Sequence, residues 1–118
     1  MPAKAGIAGM TFLRHSTYNG TMKRPCVYIL ASRRNGTLYV GVTTNLPARI
    51  EEHRQGRASK FTRKYGVTRL VHFELFEDIG EAILREKRIK KWKRAWKIHL
   101  IEQFNPDWRD VSGDLPYD

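Results

Sequence analysis

Residues 26–31 (Cys-Val-Tyr-Ile-Leu-Ala) and 37–41 (Thr-Leu-Tyr-Val-Gly) are two short runs of strand formers, and only Ser32-Arg-Arg-Asn-Gly36 lies between them. Five residues cannot hold a crossover helix, and an Asn-Gly pair is a strong tight-turn signal, so the two runs pair as an antiparallel β-hairpin. After the hairpin, Asn45 can cap a helix and Pro47 suits its first turn. Leu46, Arg49, Ile50 and His53 then recur at i, i+3, i+4 and i+7 before Gly56 stops it. A polar loop with Lys60, Arg63 and Lys64 leads into a third strand over residues 69–76, and residues 79–104 read as helix, broken near Arg94 and ending before Asn105-Pro106. The order ββαβαα leaves no room for crossovers between parallel strands. An α+β fold follows: a small, largely antiparallel sheet with helices packed on it.

The chain has 118 residues, 41% of them hydrophobic, enough for one core. Residues 1–21 show neither period, carry Lys4 and Arg14 without an acid, and read as a disordered extension rather than a targeting helix. The domain spans 22–108, and residues 109–118 read as a short acidic tail. The longest apolar run, residues 27–31, is far below the roughly 20 residues of a spanning helix, so no membrane insertion is expected. Cys26 is the single cysteine and can form no internal disulfide, which fits a reducing cytoplasm. With 22 Lys+Arg against 12 Asp+Glu, the net charge of +10 points to a polyanionic partner.

Several polar residues stand where the pattern expects apolar ones. Arg49 and His53 share the stripe of the first helix with Leu46 and Ile50. Either they serve a site, or they lie at the stripe's edge and reach water. On the long helix Glu86 sits beside the apolar stripe, flanked by Arg85, Lys87 and Arg88, and suits either an ion pair or a hard-cation ligand. Tyr28 and Tyr39 have opposite parity, so any even loop puts them on one face of the hairpin. A two-residue loop at Asn35-Gly36 sets Tyr28 opposite Thr43 and the tyrosines about 13 Å apart along the strand, whereas a four-residue loop, 33–36, sets Tyr28 opposite Gly41 and brings them to about 7 Å. Residues 85–97 hold eight basic side chains and one acid, a density that contact with phosphates would relieve. Trp92 and Trp96 are i, i+4 neighbours expected in the core. His72, His99 and Cys26 receive no role.

Val27-Tyr28, then Tyr39-Val40-Gly41 eleven positions on, then Arg49, His53, Glu86 and Asn105 in order, resembles the GIY-YIG nuclease family from about residue 23 to residue 108. The small stand-alone bacterial members match in particular, and the N-terminal nuclease domain of the ABC excinuclease is related. Cys26 replaces the first glycine of the motif, and Val27 and Val40 its isoleucines. The resemblance implies a three-stranded antiparallel sheet flanked by helices and divalent-metal-dependent hydrolysis of DNA phosphodiesters, with a role in repair or recombination and no organic cofactor. It implies that Glu86 holds Mg²⁺ or Mn²⁺, that Arg49 neutralises phosphate charge, and that Tyr28 or Tyr39 takes the proton of the attacking water. His53 would be an accessory acid/base or phosphate contact, and Asn105 an orienting group at the site's edge. DNA would lie on Lys60, Arg63, Lys64, Lys90, Lys91 and Lys93.

Two other readings share the composition. A non-catalytic DNA-binding module could keep the fold, but has no physical need for a carboxylate facing phosphates. A binder of anionic membranes needs an exposed amphipathic helix, with Trp92 and Trp96 in the open.

Overall fold

A computed structural model describes residues 23–115, so the expected extension over 1–21 lies outside the described residues. Strand β1 (Cys26–Ala31) is the centre of a three-stranded antiparallel sheet, between β2 (Leu38–Thr43) and β3 (Arg69–Leu75). The hairpin takes the four-residue loop: Tyr28 lies opposite Gly41, and the Ser32 amide donates to the Thr37 carbonyl at 3.0 Å. Asn35, φ 57°, supplies the left-handed residue of the turn, a conformation asparagine tolerates. The third strand bulges, since Ile29 faces His72 while Leu30 faces Leu70, leaving Val71 as the extra residue.

Among the described residues four α-helices surround the sheet: α1 (Leu46–Arg54), α2 (Lys60–Tyr65), α3 (Ile79–Lys91) and α4 (Arg94–Phe104). Alternation along β1 sorts the core into two layers. Tyr28 and Leu30 pack with Leu46 and Ile50 of α1. Val27 and Ile29 pack with Ala82 and Ile89 of α3 and Leu100 and Ile101 of α4. Helices α1 and α3 therefore cover opposite faces, and the two layers can meet only around an edge of the sheet.

Three expectations change. The polar loop before β3 contains a helix, α2, capped by the Ser59 side chain, which accepts from the Thr62 amide, and ended by Gly66 at φ 64°. Its six residues carry too little apolar period to betray it. The acidic tail is part of the fold as far as Leu115: a 3₁₀ turn over Val111–Asp114 sets Val111 and Leu115 into the core beside β3, and Arg54 pairs with Asp110. Finally, Trp92 is half-buried against the core, but Trp96 is 41% exposed and meets Trp92 edge-on at 6.0 Å. The break near Arg94 occurs as expected, with Trp92 and Lys93 extended between α3 and α4. Arg94 then donates to the Asn35 and Gly36 carbonyls at 2.7 and 2.6 Å and ties α4 to the hairpin turn. Among the described residues no helix is long and apolar enough to cross a membrane.

Candidate active site

The face of the hairpin that meets α1 carries both tyrosines, with ring centroids 6.3 Å apart. His53 comes down onto them from the last turn of α1, 5.7 Å from the Tyr28 ring and 5.2 Å from the Tyr39 ring, both edge-on. Polar groups on the helix stripe thus meet polar groups on the sheet.

A directional chain of hydrogen bonds runs through this cluster. The Thr62 hydroxyl of α2 donates to the Ser59 carbonyl at 3.2 Å, so its oxygen is left to accept from His53 Nδ1 at 3.0 Å. His53 Nε2 is then the lone-pair nitrogen and accepts from the Tyr28 hydroxyl at 2.9 Å. The Arg49 guanidinium lies against the Tyr28 phenol, an attraction that holds its own pKa up. Burial, reinforced by Arg49, pushes the His53 pKa down to about 4, so the ring is neutral at pH 7, as the chain requires. Burial also raises the Tyr28 phenol, outweighing the stabilising guanidinium, and the hydroxyl keeps its proton.

Exposure divides the cluster. Tyr28 and His53 are shut off from solvent, at 0% and 1%. Tyr39 is only half-buried, and the Arg49 side chain is 35% exposed, paired with Glu52 at 3.0 Å. Arg49 opens onto a cleft of about 420 Å³ whose walls include Thr43 at the end of β2, Thr44 and Asn45 after it, and Ile79 at the start of α3. The two layers of the fold meet here, around the free edge of β2.

Glu86 lies two turns along α3 from Ile79, on the same stripe and in the opposite layer from the tyrosines. It is largely buried and pairs with Lys90 Nζ at 2.5 Å. Among the described residues no group of three or more His, Cys, Asp or Glu could hold a metal. A single hard carboxylate still suits Mg²⁺, which keeps water and phosphate oxygens in most positions, and Lys90 already stands beside it as a positive charge. Lys60, Arg63 and Lys64 are exposed on α2, and Lys90, Lys91 and Lys93 at the end of α3 and just beyond it.

Asn105 is buried at the end of α4. Its amide donates to the Val71 and Arg109 carbonyls at 3.2 and 2.7 Å and accepts from the Arg109 amide at 3.1 Å, clamping the chain end onto the β3 bulge. Both ends of its side chain are occupied by backbone. Cys26 is buried at the start of β1, and burial raises its thiol away from nucleophilic use.

One constellation escaped the sequence reading. Glu74 on β3 is buried and accepts from His72 Nε2 at 2.8 Å and from Arg85 at 2.9 and 3.1 Å, while Arg85 lies over the Trp92 ring at 5.0 Å. Burial works against the charge of Glu74, but the bonds from His72 and Arg85 outweigh it and hold the carboxyl down at about 2. Arg85 therefore leaves the basic surface and becomes an internal brace of α3. The alternation His72, Glu74 on the layer facing α3 was its one available signal.

The GIY-YIG catalytic domain matches residues 24–99. A UPF0213 protein of Syntrophus aciditrophicus is 39% identical over 87 residues, 73% of this chain and 98% of its own length. A UPF0213 protein of Clostridium perfringens is 47% identical over 75 residues, 64% of this chain and 80% of its own. The solution structure of a UPF0213 protein from Bacillus halodurans is 32% identical, covers 75% of this chain and 93% of its own, and superposes with a TM-score of 0.48. With its sheet, its two motif tyrosines and the arginine and histidine that follow them in place, the chain belongs to the GIY-YIG family.

Proposed function

We propose that this protein is a divalent-metal-dependent endonuclease that hydrolyses phosphodiester bonds in DNA. The observation that carries the reading is the buried chain Ser59, Thr62, His53, Tyr28, which ends on Arg49 at the mouth of a cleft. A fold gains little from burying three polar side chains in series unless the group they orient has work to do.

Arg49 receives the phosphate and neutralises the charge that grows on it during attack. The group that takes the proton of the attacking water has to touch that water, and of the two tyrosines only Tyr39 reaches solvent. Tyr39 is accordingly the general base. Tyr28 and His53 are positioning residues that fix the direction of Arg49. Glu86 would hold the Mg²⁺ or Mn²⁺, which when bound polarises a phosphate oxygen and stabilises the leaving oxygen. Lys60, Arg63, Lys64, Lys90, Lys91 and Lys93 hold the flanking phosphates.

The second reading, a DNA-binding domain without catalysis, draws on the Glu86 to Lys90 ion pair, which satisfies the carboxylate without a metal. Purified protein incubated with paired, branched and single-stranded DNA in Mg²⁺, Mn²⁺ or EDTA separates the two. Cleavage in metal and none in EDTA supports the nuclease; tight binding with no cleavage in any metal supports the binding domain.

A further inference from the structure

Three aromatic rings lead from the site to the surface. Tyr39 and Phe61 stack with centroids 6.2 Å apart and planes 29° apart, and Phe61 meets Tyr65 at 4.9 Å. The outer two are open to solvent, Phe61 at 42% and Tyr65 at 48%. Helix α2 achieves this by the spacing of its residues: Phe61 and Tyr65, at i and i+4, share one face, while Thr62 turns inward to His53. The residue this helix buries is the threonine, and its two large rings stay outside. Packing alone would reverse that arrangement.

The surroundings specify the occupant. Lys60, Arg63 and Lys64 are exposed on the same short helix, with Lys64 Nζ 5.3 Å from the Tyr65 ring. Residues 57–68 contain four basic residues and no acid. Flat aromatic faces among cations, on a stretch of chain without an acid, match a nucleic-acid strand whose phosphates meet the cations while a base lies on the rings. An apolar protein partner would gain nothing from the lysines.

We propose that Phe61 and Tyr65 form a stacking step for a nucleobase that has left its own stack, beside the phosphate held by Arg49. In a paired duplex the faces of the bases are covered by their neighbours. The step therefore selects DNA with an unpaired base next to the scissile phosphate, as in a flap, bulge or single strand. This deepens the nuclease reading and rests on it for the identity of the neighbouring phosphate.

The test uses the full chain in EDTA, so that binding is read without cleavage. The probes are oligonucleotides carrying 2-aminopurine either unpaired or within a perfect duplex, and both affinity and fluorescence are followed. Wild-type protein is expected to quench the unpaired probe. Tyr65→Leu, which keeps apolar area but removes the ring, should bind that probe about tenfold more weakly and lose most of the quenching. Tyr65→Phe should restore both, and duplex affinity should be the same in all three. Tyr65 decides because Phe61 also supports Tyr39; melting temperatures near wild type confirm that the variants fold. Equal affinity of wild type and Tyr65→Leu for the unpaired probe would overturn the proposal, as would tight binding of that probe without quenching. Quenching by a protein that cleaves nothing in Mn²⁺ would remove the nuclease reading and leave the stacking step standing.

Discussion

A Cβ on Gly41 would lie 2.5 Å from the hydroxyl oxygen of Tyr28 on the neighbouring strand. The two residues are direct partners in the β1/β2 register, and the Tyr28 ring crosses the bare glycine to reach His53. The glycine is thus a demand of the tyrosine rather than of its own backbone angles. Gly41→Ala should force Tyr28 aside, at a cost of about 1–3 kcal/mol from overpacking. A fall in melting temperature together with lost DNA cleavage is expected, and unchanged values of both would refute the close approach.

The two tyrosines should fail differently. Tyr39→Phe removes one hydroxyl from a half-buried ring, so cleavage should drop by about 10²- to 10⁴-fold with the melting temperature close to wild type. Tyr28→Phe leaves His53 Nε2 buried without a donor, which costs about 1–3 kcal/mol, and it loosens Arg49. Its loss of cleavage should come with a loss of stability. Rates and melts measured on both variants check the assignment, which is reversed if Tyr39→Phe cuts normally.

His53 makes the fold sensitive to mild acid. Its pKa is about 4 in the folded protein, against roughly 6.5 for an ordinary histidine. The unfolded chain therefore binds more protons between those values, so His53 contributes fully above about pH 6.5 and progressively less as pH falls to about 4. Glu74, held down at about 2, withdraws its contribution only below the ordinary carboxylate range. Between pH 7 and pH 5 the wild type should lose more melting temperature than His53→Gln does. Parallel melting curves for the two would show that His53 titrates normally.

Much of this was legible because short-range rules govern it. Tyrosine parity puts Tyr28 and Tyr39 on one face for either even loop, while the choice of the four-residue loop that pairs Tyr28 with Gly41 is visible only in the structure, and the i, i+4 spacing of Arg49 and His53 carries their stripe to the tyrosine face. Helix α2 was not legible, since KFTRKY has no apolar stripe; only Ser59 and Gly66 marked its ends, and without it neither Thr62 nor the Phe61–Tyr65 pair could be placed. Glu74 and Arg85 meet through packing of β3 on α3, a long-range event whose only local trace is the alternation of His72 and Glu74. Tyr28 and Tyr39 differ in solvent exposure, which their motif positions do not encode.

Binding should be electrostatic. Lys90, Lys91 and Lys93 are exposed on one stretch of chain, while Arg85 is turned inward to Glu74. Replacing the three lysines by Gln should weaken DNA binding across sequences. It should also reduce the log-log salt slope by about 0.9 for each duplex phosphate no longer neutralised. The melting temperature should hold. Titrations at several salt concentrations measure the slope, and Arg85→Gln serves as the contrast, expected to destabilise the fold instead.

Two buried glutamates on facing elements give the sharpest separation of structure from chemistry. Glu74 neutralises Arg85 and accepts from His72 inside the protein, so Glu74→Gln leaves a buried guanidinium without its counter-charge and should cost about 3–5 kcal/mol. Glu86 pairs with Lys90, whose side chain is 52% exposed and returns to water when its partner is neutralised. Glu86→Gln should therefore melt within a few degrees of wild type. If Glu86 holds the catalytic cation, the same change removes the charge a hard divalent ion requires, and Mn²⁺-dependent cleavage should fall by orders of magnitude. Metal-free DNA affinity should hold or rise slightly, since one negative charge is gone. Cleavage at the wild-type rate by Glu86→Gln would end its metal role and leave the Lys90 pair as its whole function.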